Sequence, residues 1–310
     1  MKQIHTLTLS PAFDIHCDAP DFAAYQENLV RVSTRDAGGK GVNISRALIQ
    51  NGVNNTAWVA AGAENADSFF HLLARDGLCV ERFLFSGRIR ENFTLHTSGR
   101  PETRISFPGA AMPTELFEKI EQRVLSVLKA GDILTLTGRL PDGIPMRTVL
   151  ALLEKCRVRG VQIVIDSRSF SADDLRAAKP WLIKPNQEEI AAYTGMHADS
   201  PEEARAAAQT FAACGIENVM LSLGKDGALL LCQAGCFYAK PPQIDARSTI
   251  GAGDSSIAGF LAAAQSGADP AACLAQAVAF GSAACLRDGT LPPLLEDVKR
   301  IRSQVVCKKQ

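Results

Sequence analysis

Ser248-Thr249-Ile250-Gly251-Ala252-Gly253-Asp254 runs directly into an apolar helical stretch from Ile257 to Ala264. Gly251 and Gly253 let the backbone turn with no Cβ in the way, so successive N–H groups can converge on an anion at the positive end of the following helix. A carboxylate beside such an anion repels it, unless Asp254 is there to accept the proton of a hydroxyl attacking a phosphate. The same residues also suit a plain aspartate cap after a glycine turn. Taken alone, the segment leaves both uses open.

Three other segments carry comparable chemistry. Ala37-Gly38-Gly39-Lys40-Gly41-Val42-Asn43 offers flexible backbone, one cation and one amide before a helix, enough to hold a sugar hydroxyl or a phosphate, or simply to turn the chain. It is not a Walker A loop, because Gly41 rather than Ser or Thr follows Lys40, and no GxGxxG dinucleotide fingerprint occurs elsewhere. Lys184-Pro185-Asn186-Gln187-Glu188-Glu189 follows an apolar burst. Asn186 with Glu189 three positions on is a capping-box pattern, and it also suits phosphate and magnesium ligation, largely through water. Ser222-Leu223-Gly224-Lys225-Asp226-Gly227 reads as a hairpin turn, or as a nucleotide contact at the carboxyl edge of a sheet.

The elements that must position these segments alternate. Ile4 to Leu9, Thr56 to Ala61, Asp132 to Leu136, Val161 to Ile165, Trp181 to Ile183 and Val219 to Leu223 read as buried strands. Helical spacing runs over 42–50, 66–75, 115–128, 146–157, 201–214, 254–265 and 270–285. Strand and helix in alternation predict an α/β fold with a largely parallel sheet covered on both faces. Segments 13–36 and 80–108 break the rhythm with short strand-like pieces, such as Asn92 to Thr97 and Thr103 to Phe107. They predict a small β lid inserted into a single domain spanning residues 1–310.

Composition narrows the partners. Thirty-three basic residues balance 33 acidic ones, so no global field recruits nucleic acid or an acidic membrane, and an anionic ligand must be bound locally. Nine scattered cysteines do not read as a disulfide framework, and no signal segment or 18-residue apolar run is present. The expectation is a soluble cytoplasmic protein. Cys232 and Cys236 lack a second ligand pair for zinc. The five histidines form no metal motif and are assigned no chemistry.

The four glycine- and asparagine-containing segments, in this order and spacing over essentially the whole chain, resemble PfkB-type sugar kinases of the ribokinase superfamily. Thr8-Leu9-Ser10-Pro11-Ala12-Phe13-Asp14 resembles the opening of their phosphosugar branch, which includes 1-phosphofructokinase, tagatose-6-phosphate kinase and the minor 6-phosphofructokinase. The resemblance implies a ribokinase-like three-layer sandwich with a β-sheet lid, ATP and Mg²⁺ as cofactors, and a homodimer paired through the lid. It casts Asp254 as catalytic base, with Gly251, Ala252 and Gly253 as the anion hole. Lys184, Asn186, Glu189, Ser222, Gly224, Gly227 and Thr249 fall on the nucleotide side, Glu189 meeting the metal through water.

On the acceptor side the resemblance places Asp14, Gly38, Gly39, Lys40, Asn43 and Gly138. Arg31 and Arg90 fall where the phosphosugar branch binds the acceptor's existing phosphate, a role that suits a bidentate guanidinium. Arg104 is a further sugar contact. Ser10 stands where many members carry asparagine. Arg139, in Thr137-Gly138-Arg139-Leu140-Pro141, stands where they carry serine, and this departure bears on which sugar is used. The implied activity is ATP-dependent phosphorylation of a phosphorylated ketohexose, with fructose 1-phosphate ahead of tagatose 6-phosphate and fructose 6-phosphate. A kinase of a free sugar or nucleoside and a non-catalytic sugar-phosphate-binding regulator are the alternatives.

Overall fold

In this computed structural model, residues 2–99 and 102–310 are described. Arg100 and Pro101, inside the predicted lid segment, lie outside the described residues. The first third of the chain contains β1 (Ile4–Thr8), β2 (Ala12–Asp18), β3 (Arg31–Gly38), α1 (Lys40–Gln50), β4 (Thr56–Gly62), α2 (Ala66–Arg75), β5 (Val80–Phe85), β6 (Arg90–His96) and β7 (Thr103–Ile105). The middle follows with α3 (Thr114–Val127), β8 (Ile133–Thr137), α4 (Met146–Val158), β9 (Gln162–Asp166), α5 (Ala172–Ala178), β10 (Leu182–Ile183), α6 (Gln187–Thr194) and α7 (Pro201–Ala212). The last third holds β11 (Asn218–Ser222), β12 (Ala228–Cys232), β13 (Gly235–Lys240), α8 (Ala252–Gln265), α9 (Pro270–Ala284), α10 (Leu295–Arg302) and β14 (Val306–Lys309).

Strands such as β1 and β8 are buried at every residue, which explains their continuous apolar character: both faces of the sheet are covered. Ten strands form the large sheet in the order β14-β13-β12-β11-β10-β9-β8-β1-β4-β5. Pairing is parallel from β11 through β5 and antiparallel from β11 to β14. Side chains alternate between two cores. Leu7, Leu134 and Ile163 pack with α3, α4 and α7, whereas Ile4, Ile133 and Val164 pack with α1, α8 and α9. This is the three-layer α/β arrangement expected from the sequence.

A separate four-stranded sheet, β3-β2-β6-β7, stands where the lid was predicted. It corrects the predicted boundary, since Val80–Phe85 pairs in parallel with β4 as an edge of the large sheet. The reason is topological: β5 follows α2 in a β-α-β crossover, and its half-buried alternation matches an edge strand. The chain then crosses between sheets beside Gly62, where a Cβ would stand 2.6 Å from the Gly87 and Arg88 backbone. Sequence patterning also passed over the short α5 and the terminal α10–β14 pair. All nine cysteines are free, and Cys232 and Cys236 flank the β12–β13 turn. Among the described residues no helix is long and apolar enough to cross a membrane.

Helices α8 and α9 pack closely, which holds the N-terminus of α8 against the sheet edge. A Cβ on Gly259 would lie 2.6 Å from the Gln276 carbonyl oxygen and 2.8 Å from Phe280 Cβ. Backbone cannot yield there, so Gly259→Ala should lower stability by about 1–3 kcal/mol through overpacking. Urea denaturation checks this, and an unchanged midpoint would contradict the close packing.

Candidate active site

The carboxyl ends of β1, β8, β9, β10 and β11 bring their loops to one edge, the place where open parallel sheets bind ligands. Two helices begin there. Gly251, at φ 75° and ψ −3°, is the left-handed residue before α8, and no side chain caps that helix. The first N–H groups of a helix have no acceptor within it, so those of Gly253 and Asp254 are available for an anion. Asp254 therefore lies inside the first turn and is not the cap, which removes the plain capping use. Thr249 is exposed on the approach, and its carbonyl accepts the Ala252 N–H at 3.4 Å.

Asp254 is buried and its Oδ2 accepts a hydrogen bond from Asn43 Nδ2 at 2.8 Å. Burial pushes its carboxyl up, Lys40 pulls it back, Asp166 raises it further, and it settles at about 6. Asn43 sits on α1, whose start is set by Gly39 at φ 124°. Gly39 cannot be replaced without strain, and a Cβ on Gly38 would overlap Asp14 Oδ2 at 2.0 Å. The tight turn thus lets Asp14 and the α1 N-terminus share one corner.

Sequence reasoning missed Asp166, the last residue of β9. It is buried, and its Oδ2 takes Lys40 Nζ at 2.9 Å with Lys184 Nζ at 3.9 Å. Burial alone would raise Asp166, yet Lys184 and Lys40 together hold it below the ordinary carboxylate value. Lys40 faces the same balance: burial opposes its charge, but Asp166 and Asp254 outweigh it and its ammonium is held up. Lys184 in turn reaches Gly253, where an added Cβ would lie 3.0 Å from Nζ. The available signal was a lone acid closing an apolar strand at the ligand-binding edge.

Asn186 and Glu189 realise the capping box. Asn186 Oδ1 accepts the Glu189 N–H at 2.8 Å, and Glu189 Oε2 accepts the Asn186 N–H at 3.1 Å. Glu189 Oε1 also accepts from Arg168 Nε at 3.0 Å, a partner unmarked in the sequence. Asp166, Lys184 and Glu189 nonetheless line one crevice. Ser222 bridges to Asn186 in parallel register, so the nucleotide-side segments are neighbours. Gly224 begins an exposed single turn, while Gly227 is buried, at φ 101°, with no space for a Cβ 2.0 Å from the Ala239 carbonyl oxygen.

On the acceptor side, Asp14 accepts from Asn92 Nδ2 at 3.0 Å, and burial raises its carboxyl. Arg90 is half-buried, and its Nε is closed off from water with no partner. Burial lowers its guanidinium, Asp14 opposes that, and Arg139 adds to the lowering, so the two arginines stand close enough to repel. Gly138, at φ 84°, donates its N–H to the Asp166 carbonyl oxygen at 3.0 Å and leaves Arg139 exposed beside the site.

Two predicted contacts are not brought in. Antiparallel register sets Arg31 opposite Asp18, seven residues along β3 from Gly38, or roughly 23 Å of strand at about 3.3 Å per residue. There its side chain is 83% exposed and paired with Asp18 at 3.0 Å. Arg104 lies on the outer strand β7, exposed and paired with Glu102.

The raised Asp254 carboxyl has a stability consequence. Between the ordinary 3.8 and about 6 the folded protein binds more protons than the unfolded chain, so this group's contribution falls as pH rises through that window. Asp254→Asn removes that loss and should raise stability by up to about 3 kcal/mol at pH 8, with the gain fading towards pH 4. Chemical denaturation at both pH values tests it. A variant no more stable than the parent at pH 8 would refute the buried-carboxylate assignment.

The family description "pfkB family carbohydrate kinase" matches residues 9–297. The chain is 31% identical over 309 residues to the ATP-dependent 6-phosphofructokinase isozyme 2 of Escherichia coli (strain K12), covering 97% of this chain and 98% of that one. It is 34% identical over 295 residues to the 1-phosphofructokinase of Rhodobacter capsulatus, covering 94% and 93%. The crystal structure of Phosphofructokinase-2 from Escherichia coli in complex with substrates and products superposes with a TM-score of 0.90 at 30% identity, covering 97% of this chain and 99% of that chain.

Proposed function

The chain belongs to the pfkB family of carbohydrate kinases and is an ATP-dependent phosphosugar kinase, and we propose that its acceptor is a phosphorylated ketohexose, fructose 1-phosphate before tagatose 6-phosphate or fructose 6-phosphate. The observation that carries the mechanism is Asp254: buried, titrating at about 6, hydrogen-bonded to Asn43 and seated in the first turn of an uncapped helix. A base of that strength is mostly ionised at neutral pH yet basic enough to take the proton of an attacking hydroxyl. In this reading the free N–H groups after Gly251 and the ammonium of Lys184 stabilise the charge that develops on the transferring phosphoryl oxygens.

Asp14, backed by Gly38 and Asn92, is the acceptor-hydroxyl contact in this reading. Arg90, with its unpartnered Nε, and Arg139 beside it form a doubly cationic place for the acceptor's own phosphate. Ser222, Gly224, Gly227 and Thr249 flank the nucleotide. For Mg²⁺ the donors suit a largely hydrated ion, since Glu189 supplies one carboxylate and no cluster of three acidic, histidine or cysteine ligands occurs among the described residues. When bound, the ion neutralises phosphate charge. The nine free cysteines suit a reducing cytoplasm.

Coupled ADP release over a panel of sugars and sugar phosphates identifies the acceptor. Asp254→Asn should lose at least about 10³-fold in kcat while nucleotide affinity stays within a few-fold. Arg90→Ala should raise KM for the phosphosugar far more than for the free sugar. Near-normal turnover in the first variant, or equal effects in the second, would sink the assignment.

A homodimer through the small sheet completes the proposal. Residues Arg31–Arg35 of β3 are exposed on both strand faces, Leu29 and Val32 present apolar surface at that edge, and Ile105 and Phe107 are exposed at the opposite edge, on and after β7. An exposed strand of this kind is protected by pairing with a second copy. Light scattering should report a dimer for the parent and a shift to monomer for Leu29→Asp combined with Val32→Asp. A monomeric parent overturns the idea.

A further inference from the structure

A cavity of about 280 Å³ lies where the C-terminal ends of α1 and α2 meet the segment between α9 and α10. Arg46, Gln50, Arg75, Asp76, Arg287 and Leu291 are among its lining residues. Its lining includes none of Lys40, Asn43, Asp166, Lys184 and Asp254, although Arg46 stands one turn of α1 beyond Asn43. Helix α1 sends Lys40 and Asn43 to the active site from its first turn, whereas Gln50 at the cavity is seven residues further, roughly 10 Å along the axis.

Three guanidinia face one carboxylate here. Arg46 is buried and spends its charge on Asp76 at 2.8 Å, also donating to the Ala37 carbonyl at 3.4 Å. That pair accounts for Asp76 and leaves Arg75 and Arg287 without a counter-ion. Neither of the two has a side-chain hydrogen bond or ion pair among the described residues. Arg287 is the more telling, because its Nε is closed off from water and unpartnered. A guanidinium donor held dry and unsatisfied is a costly arrangement unless a ligand supplies the acceptor.

No helix-end carbonyl accepts from Arg287 Nε. The carbonyls of Leu48 and Ile49 in α1 are taken by the N–H groups of Asn51, Gly52 and Val53, and those of Leu72, Leu73 and Ala74 in α2 by Asp76, Gly77 and Leu78.

We propose that this cavity is a second anion site, taking a small phosphate-class oxyanion between Arg287 and Arg75, distinct from the phosphate positions of the kinase reaction. The volume admits one phosphate group with its hydration or a small phosphorylated metabolite. Two guanidinia offer the forked donors such an oxyanion takes in pairs.

The probe is inorganic phosphate, titrated calorimetrically with Mg²⁺ and a non-hydrolysable ATP analogue present to fill the nucleotide side. Arg90→Ala serves as the background in which the acceptor-side anion contact is removed. Phosphate should still bind to that variant, and adding Arg287→Ala should weaken the binding at least about tenfold. Arg75→Gln, on an exposed side chain that folding does not need, should weaken it several-fold in the same background, and decides the matter if the Arg287 variant fails to fold. With native Arg90, both substitutions should leave ADP release at low phosphate unchanged. No phosphate binding in the Arg90→Ala background, or binding indifferent to both substitutions, overturns the proposal.

Discussion

One buried carboxylate organises the reaction centre. Asp166 ends β9 in a position with almost no access to water, where an isolated charge would be prohibitive, and it is tolerated because Lys40 and Lys184 converge on the same oxygen. The pairing acts in both directions. It keeps Asp166 ionised, and it directs two ammonium groups, that of Lys184 buried and that of Lys40 partly open to solvent. Asp254 completes a cluster with two lysines and two carboxylates, which is electrically balanced before substrates arrive. Burial pushes the Asp254 carboxyl up to about 6, and Lys40 offsets part of that penalty.

The elements around this cluster can be understood as what it takes to bring those four side chains together from distant positions in the chain. A parallel sheet delivers Asp166 and Lys184 from adjacent strand ends, and α1 brings Lys40 and Asn43 across from the next loop. Helix α8 must approach closely enough for Gly253 to touch Lys184, and small residues on α8 and α9 make that approach possible. Asn186 and Glu189 join a structural role to a position at the crevice, which Glu189 takes. The capping box fixes the α6 start, and in doing so places Glu189 on the crevice shared with Asp166.

The small sheet governs the other side. Asp14, Asn92 and Arg90 come from neighbouring strands β2 and β6, whose parallel pairing sets Asp14 opposite Asn92. The β2–β3 and β6–β7 registers leave Arg31 and Arg104 exposed, so in the proposed reading the acceptor end within one chain relies on Arg90 and Arg139. Two guanidinia near one another are unfavourable in an empty site and favourable around a dianion. In the proposed reading the pair is a charge filter for the acceptor as well as a contact.

How much of this was legible in the sequence depended on range. Helices at 66–75, 146–157 and 270–285, and the buried strands, follow from periodicity because the packing they report is periodic. The glycine segments and the Asn186–Glu189 spacing carry their geometry locally, in φ values and capping bonds spanning three or four residues. The tight turn at Gly251 and the Asn186–Glu189 capping box were therefore open to inspection. Asp166 was not, since a single acid at a strand end acquires meaning only from the two lysines that the sheet and α1 bring to it. Nor was the fate of Arg31, Arg90 and Arg139, because strand register, rather than residue type, decides which guanidinium reaches the site. The sequence alone determined which groups are able to do the chemistry. Only the tertiary structure decided which charges share one desolvated volume, because Coulomb and burial terms act through space and carry no trace along the chain.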